Sequence, residues 1–472
     1  MIPALDAVDD VFLEHHARGS APSLAWGTFD RTGLIRFRSA GMGPGGAAPG
    51  AHTAYRIASC TKSFTAAAVL ALRDAGVLSL DDPVTRFIPG FLSVLLPGPD
   101  APVPTVRMLL TMSGGLPTDD PWADRQEALT ESQFDAFVAR GVTFESMPGT
   151  RFAYSNLGFA LLGRVITVAS GRGYRDFVTE QLLKPLGLTG TGFDSSVPAT
   201  GGVATGTRWL DRGWHDLPFS APGAFSPIGG LFSTVTDLSS WATWLASAFD
   251  GATQDTEAIS PLSRSSRREM AQQYRHVPSV SEYPTGYGFG LFVEQYAHSG
   301  PVVSHSGGYP GFSAHMRWSA LGGHGIVAFG NATHSHLAVA ATRAFDRLDA
   351  AAPRVPPAVL ASVRSAQVAL TGLIYAWDDD TARDLFAENI PLDDSFERRR
   401  AALAVAVLRI GGLLPEQPAT AAAAPEHSSS PAHLVWYLNG QAGRLRVETR
   451  LTPEYPPRVQ TFTVTADLVH SR

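Results

Sequence analysis

The sequence predicts an α/β protein built from a sheet-containing lobe, a helical lobe and a small appended domain. Three observations predict it. Strand-like runs gather near both ends of the first 350 residues or so, the stretch between them reads as helical, and composition changes at Ala351-Ala352-Pro353. Strands drawn from distant parts of the chain point to one shared sheet, with the helical stretch forming a second lobe beside it. Residues 1–350 then form one domain and 353–472 a small α+β domain.

Taken in order, Ile2 to Arg18 repeats apolar residues at helical spacing among acids, an amphipathic helix. Ser23–Phe29 and Gly33–Ser39 are strand-like runs joined by Asp30-Arg31-Thr32, a hairpin. Gly41–Gly50 is a Gly/Pro-rich loop. Ser59–Ala75 reads as a helix, with hydroxyl residues at its start, an Ala/Leu/Val interior and Gly76 at its end. Val106–Thr111, Glu131–Val138, Leu157–Ala169 and Tyr174–Leu183 continue the helical stretch between Gly and Pro breaks. Thr236–Phe249 is another helix, opened by a Thr/Asp pair able to cap its free amides. Strands resume at Phe289–Glu294, Val302–Ser304, Ser313–Arg317 and Ile326–Gly330, and a helix follows at Leu337–Leu348. Beyond residue 353, Asp380–Ala387 and Arg398–Leu408 are helical, Pro415–Pro431 is a flexible Ala/Pro/Ser-rich tract, and Gly443–Leu451 and Arg458–Thr465 are strands.

The chain has 472 residues, of which 44% are hydrophobic and 17% charged, enough apolar material for a full core. A net charge of -6 without any basic run argues against a nucleic-acid or anionic-membrane partner. The single cysteine, Cys60, excludes an internal disulfide and a cysteine-based zinc cluster. The N-terminal segment lacks a basic stretch followed by an apolar one, and no apolar run is long enough to cross a bilayer. A cytoplasmic location is the expectation. Of 37 basic Lys and Arg residues only Lys62 and Lys184 are lysines. A lysine kept against that bias suits a task arginine cannot perform, releasing its proton near neutral pH.

Three short motifs carry candidate chemistry. In Ser59-Cys60-Thr61-Lys62, serine and lysine at i and i+3 share a helix face, close enough for the amine to take the hydroxyl proton. The positive end of the helix also favours an oxyanion beside the serine. A capping serine followed by a surface lysine is the plain structural alternative. In Tyr154-Ser155-Asn156, phenol and amide two residues apart point the same way, one to shuttle a proton and one to bind a carbonyl; a helix cap is the alternative there. In His305-Ser306-Gly307-Gly308, two glycines after a strand allow a ligand close to the backbone, and a turn with a solvent-facing histidine is the alternative.

In this chain order the motifs resemble the signature of the penicillin-recognising serine hydrolases related to class C β-lactamases, D-alanyl-D-alanine carboxypeptidases, D-aminopeptidases and certain esterases. Val106–Leu116, Pro148–Ala153, Gly229–Thr234 and Tyr287–Leu291 are similar to the flanking text of that family, and the resemblance spans about residues 5–348. It implies a β-lactamase-like three-layer domain whose mainly antiparallel sheet is flanked by helices, with the site in the cleft beside an all-helical lobe. It implies Ser59 as the acylated residue, Lys62 as its base or base-tuning neighbour, and Tyr154 serving the leaving group. Asn156, His305, Gly307 and Gly308 would meet the substrate, the amides of Ser59 and Gly308 holding its oxyanion. No metal and no cofactor are implied.

The family's β-lactamases carry lysine where this chain has His305. An imidazole grips a carboxylate less firmly than an ammonium, so hydrolysis of small amides, esters or peptides is expected over efficient β-lactam turnover. Acyl transfer by the same acyl-enzyme and a non-catalytic ligand-binding homologue are the competing readings.

Other constellations read as structural. Cys60 points away from the Ser59/Lys62 face and is expected in the core. His334-Ser335-His336 lacks companions for a metal set, His15-His16 lacks a zinc-helix spacing, and Gly41–Gly46 lacks the Gly-Lys-Ser/Thr of a phosphate loop. Asp378-Asp379-Asp380 fits a helix start. No Gly-x-Ser-x-Gly occurs, which argues against an α/β-hydrolase.

Overall fold

A computed structural model describes residues 2–250, 260–278, 282–296, 299–353, 359–415 and 426–468. The chain divides into two compact units, Met1–Arg354 and Val355–Arg472.

In the first unit, helix Ile2–Ala17 leads into the hairpin β1 (Ser23–Asp30) and β2 (Gly33–Gly41). Next come β3 (Tyr55–Arg56), the hairpin β4 (Thr207–Leu210) and β5 (Gly213–Asp216), and β6 (Phe232–Ser233), which pairs with β3. The chain then supplies β7 (Arg275–His276), β8 (Thr285–Tyr287), β9 (Phe292–Tyr296), β10 (Gly300–Tyr309), β11 (Phe312–Ser319) and β12 (Gly325–Gly330). One eight-stranded sheet runs β2-β1-β12-β11-β10-β9-β8-β7, with antiparallel pairings throughout. The two distant ends of the unit meet where β1 lies against β12, Trp26 opposite Ala328.

Side chains on a strand alternate between faces, and here both faces are apolar. Ala25 and Phe29 of β1, Met316 and Trp318 of β11, and Val327 and Phe329 of β12 join one core with helices Thr61–Asp74 and Val235–Ala246. Leu24 and Trp26 of β1, with Ile326 and Ala328 of β12, join a second core with helices Ile2–Ala17 and Leu337–Ala351. Two covered faces make three layers, the β-lactamase-like arrangement. Helix Thr61–Asp74 is buried nearly all round, as its small and apolar residues require. Phe64 stacks on Trp241 with ring centroids 3.8 Å apart, which ties helix Thr61–Asp74 to helix Val235–Ala246.

Several elements differ from the sequence reading. Ser59 lies in a 3-10 turn, Ala58–Cys60, and the α-helix begins at Thr61. Tyr174–Leu183 splits into helix Tyr174–Val178 and a π turn Thr179–Leu183. The cap of the Val235–Ala246 helix is Thr234, whose hydroxyl accepts the Asp237 amide; the Asp237 carboxylate takes the Gly190 amide and Thr191 hydroxyl instead. β10 runs on through His305-Ser306-Gly307-Gly308, each residue paired with β11, so this motif is strand and not turn.

The second unit contains helices Ala361–Tyr375, Asp379–Leu385, Asn389–Asp393 and Phe396–Arg409 and the antiparallel sheet β13 (His433–Asn439), β14 (Gly443–Leu451) and β15 (Val459–Leu468). Leu370, Phe386, Leu434, Val447 and Phe462 share its core. Asp378 caps the helix at 379, accepting the Thr381 amide at 2.7 Å. Of the expected flexible tract 415–431, residues 416–425 lie outside the described residues.

Candidate active site

The chain enters the site through a strained turn. Ala58, fully buried, has φ +46°, a conformation L residues rarely adopt and that packing must hold in place. It presents Ser59, partly exposed, at the mouth of a cleft of about 690 Å³, also lined by Asp120, Asp124, Tyr154, His305, Gly307, Gly308 and Tyr309.

Behind Ser59 the Lys62 Nζ is wholly buried, 2.9 Å from Ser59 Oγ, 2.6 Å from Asn156 Oδ1 and 2.8 Å from the Ile228 carbonyl. Burial pushes its pKa down from 10.5 to about 8, while the carboxylates of Asp120, Asp124 and Asp119 pull the other way. No neighbouring positive charge contributes to the lowering: the charged groups that act on Lys62 are acids, and burial alone lowers it. The bonding pattern matters more than the value. Asn156 Oδ1 and the Ile228 carbonyl only accept, so the two protons of a neutral amine go to them. The lone pair is left for the Ser59 hydroxyl.

Asn156 is fixed in that orientation because its Nδ2 donates to Asp120. It is 1% exposed, and its side chain bonds Lys62 through Oδ1 and Asp120 through Nδ2. The Asp119 carboxylate accepts the amides of Asn156 (2.7 Å) and Leu157 (2.9 Å), and Ser155 Oγ accepts that of Gly158. The structural alternative for this motif therefore holds for Ser155 alone, which caps helix Asn156–Ser170.

Tyr154 reaches the same point from the other side. Its ring centroid is 5.1 Å from Lys62 Nζ, and its ring lies parallel to Phe292 and edge-on to Tyr287. Burial, Tyr287 and Asp120 push the phenol well above 10, against the pull of a hydrogen bond with Ser59. Tyr154 is thus protonated near neutral pH.

His305 stands on β10 one residue beyond Ser304, where the pairing with β9 ends. Its Nδ1 lies 2.6 Å from the Ser306 carbonyl, which can only accept, so the proton sits there and Nε2 accepts from the Tyr287 hydroxyl at 3.4 Å. Burial and the Lys62 charge push it down to about 3, so the imidazole is neutral. It is 1% exposed and forms part of the cleft lining. The two glycines have different reasons. A Cβ on Gly307 would stand 2.3 Å from the Ile57 carbonyl, whereas one on Gly308 would meet nothing within 4 Å. Gly307 lets β10 lie against the nucleophile turn; Gly308 faces open space.

Cys60 is buried, donates to the His305 carbonyl at 3.3 Å, and burial pushes its thiol up to about 12. It is a core residue. His334 and His336 sit in a turn beside the cleft, and no group of three or more His, Cys, Asp or Glu suited to a metal occurs among the described residues. No described helix is long and apolar enough to cross a membrane.

Asp119, Asp120 and Ile228 escaped the sequence reading, and Tyr287 entered it only within a run of flanking text. Asp119-Asp120 before Pro121 reads as a helix start, which it is, for helix Asp120–Ala123. Nothing local links it to residue 156.

A three-layer sheet domain, a helical lobe and a Ser–Lys–Tyr cluster at the seam between them define the class of β-lactamase-like proteins. The Beta-lactamase family matches residues 8–351, and the chain belongs to that family. It is 26% identical over 282 residues to penicillin-binding protein 4* of Bacillus subtilis, a match covering 56% of this chain and 58% of that protein. The chain thus matches less than two thirds of that curated relative's length. Among solved structures, the octameric penicillin-binding protein homologue from Pyrococcus abyssi superposes with a TM-score of 0.63 at 20% identity, covering 98% of this chain and 99% of that one. A D-stereospecific amidohydrolase from Streptomyces sp. superposes with a TM-score of 0.52 at 28% identity, covering 66% and 90%.

Proposed function

We propose that the chain is a serine hydrolase that cleaves an amide or ester bond of a small substrate through an acyl-enzyme on Ser59, with the activity in residues 1–350. The observation that carries this reading is the buried Lys62 amine 2.9 Å from Ser59 Oγ, its two protons directed to carbonyl acceptors and its lone pair to the serine. Lys62 takes the hydroxyl proton as Ser59 Oγ bonds to the substrate carbonyl carbon. The amides of Ser59 and Gly308 hold the developing oxyanion. The protonated Tyr154 gives its proton to the leaving nitrogen or oxygen and is restored by the Lys62 ammonium. Water then enters where the leaving group stood, gives up a proton along the same route, and releases the acid.

The neutral His305 offers a substrate carboxylate no charge, which favours small amides and esters over β-lactams. One relative's description, a D-stereospecific amidohydrolase, agrees with amide cleavage. The test is a panel of p-nitrophenyl esters, D- and L-amino acid anilides and a chromogenic β-lactam, run on the parent and on Ser59→Ala. Ester or anilide turnover abolished in Ser59→Ala, with the β-lactam poorly processed, supports the reading. Turnover that persists in Ser59→Ala overturns it.

A further inference from the structure

Behind the cleft, four of its parts meet at one buried ion pair. Arg56 and Glu127 are 1% and 2% exposed, and the Arg56 Nη2 contacts the Glu127 carboxylate. Arg56 lies on β3, three residues before Ser59, so it belongs to the strand that delivers the nucleophile. Its Nε donates to the Gly229 carbonyl at 3.1 Å, and the preceding residue, Ile228, supplies the carbonyl that holds Lys62. Its guanidinium also lies over the Tyr309 ring, 3.8 Å from the centroid. Tyr309 ends β10 immediately after Gly308 and lines the cleft. Its hydroxyl donates to Glu127 at 2.6 Å and lies 2.9 Å from the Asp124 carbonyl. Glu127 itself closes the segment that begins with Asp119 and Asp120, the two acids that fix Asn156.

Two buried charges are a costly way to hold a core together, since an apolar pair of similar volume often serves as well or better. What an apolar pair lacks is direction. Here the contacts join four walls: Arg56 comes from the nucleophile strand, its Nε reaches the Gly229 carbonyl, Glu127 comes from the acidic segment, and Tyr309 brings in the end of β10.

We propose that Arg56, Glu127 and Tyr309 are positioning residues for the hydrolysis, holding Ser59, Lys62 and the Gly308 edge in register. This inference rests on the Ser59 reading above. Reacting groups misplaced by about 1 Å lose on the order of a hundredfold in rate, so loosening the network slows acylation without removing any group that touches substrate.

The test compares Tyr309→Phe, Glu127→Gln and the double variant Arg56→Met/Glu127→Leu with the parent. Tyr309→Phe deletes one hydroxyl and keeps the ring under the guanidinium; the double variant removes both charges together. A fourth protein, Glu294→Gln, disturbs the pair between buried Arg317 and half-buried Glu294 elsewhere in the sheet as a structural control. For each, thermal unfolding, kcat, KM and the rate of covalent Ser59 labelling by a p-nitrophenyl ester are measured. The expected result is labelling about tenfold slower in Tyr309→Phe and about a hundredfold slower in the double variant, with kcat falling and KM held. Glu294→Gln loses thermal stability and labels at the parental rate. If the charge-altered variants do not fold, Tyr309→Phe decides alone. A folded Tyr309→Phe that labels Ser59 at the parental rate, whatever its melting temperature, overturns the positioning role and leaves the Ser59 reading intact. A parent protein that turns over ester without labelling at Ser59 overturns both.

Discussion

Shifting the pH across the range where Lys62 titrates should switch the nucleophile on. Burial lowers the lysine from 10.5 to about 8, a difference worth about 3 kcal/mol in disfavour of the ammonium. Only the neutral amine has a lone pair for the Ser59 proton, so kcat/KM for a p-nitrophenyl ester should rise along a limb centred near pH 8. Below it the neutral fraction falls tenfold per pH unit, which leaves about one hundredth of the plateau rate at pH 6. Asp120 is the largest charge opposing the shift, so Asp120→Asn should move the limb to lower pH, by about one unit. The assay is initial-rate hydrolysis across the range from about pH 5.5 to about pH 11, with spontaneous ester hydrolysis subtracted. The same group has a stability signature of known sign. Its folded-state pKa lies below the unfolded one, so its burial cost is fully present below about pH 8 and is relieved as pH rises toward 10.5. A flat profile through pH 8 would refute lysine as the base. A profile that climbs only above 10, where the Tyr154 phenol ionises, would transfer that role to the tyrosine.

Lys62→Arg keeps a cation but one that does not deprotonate, and it should lower kcat by about 10²–10⁴-fold while the protein remains folded by circular dichroism. Gly307→Ala should destabilise by about 2 kcal/mol and cripple turnover, because its Cβ meets the Ile57 carbonyl at 2.3 Å; thermal unfolding reads the first effect and ester hydrolysis the second. Gly308→Ala should unfold at the parental temperature, since nothing lies within 4 Å of its Cβ, and its effect should appear in KM. Native protein should resist iodoacetamide at pH 8, with alkylation of Cys60 appearing only on unfolding, because the thiol is fully buried and held near 12.

The parts legible in the sequence are those set by local spacing. Ser59 and Lys62 are three residues apart on one face, and that relation survives the 3-10 turn in which Ser59 sits. The long helices and the two hairpin strands at the start carry periodicity over enough residues to read. What was not legible depends on contacts far apart in the chain. Asp120 meets Asn156 across 36 positions, and Arg56 meets Glu127 across 71. The two glycines in β10 lower strand propensity, so the motif looked like a turn; Gly307 is there because β10 presses on the Ile57 carbonyl. β3, β6 and β7, two residues each, leave no alternation to find. Burial, too, is a tertiary property. The spacing placed Lys62 beside Ser59, but only packing shows that burial lowers its proton affinity against the opposing pull of the acids around it.

The most direct measurement is intact-mass spectrometry of the protein mixed with a slowly deacylating p-nitrophenyl ester, quenched in acid at successive times and mapped by peptide digestion. A single acyl increment on Ser59, formed and lost at rates that match turnover and absent from Ser59→Ala, is the expected result. Turnover with no increment, or with the acyl group on another residue, would contradict the account.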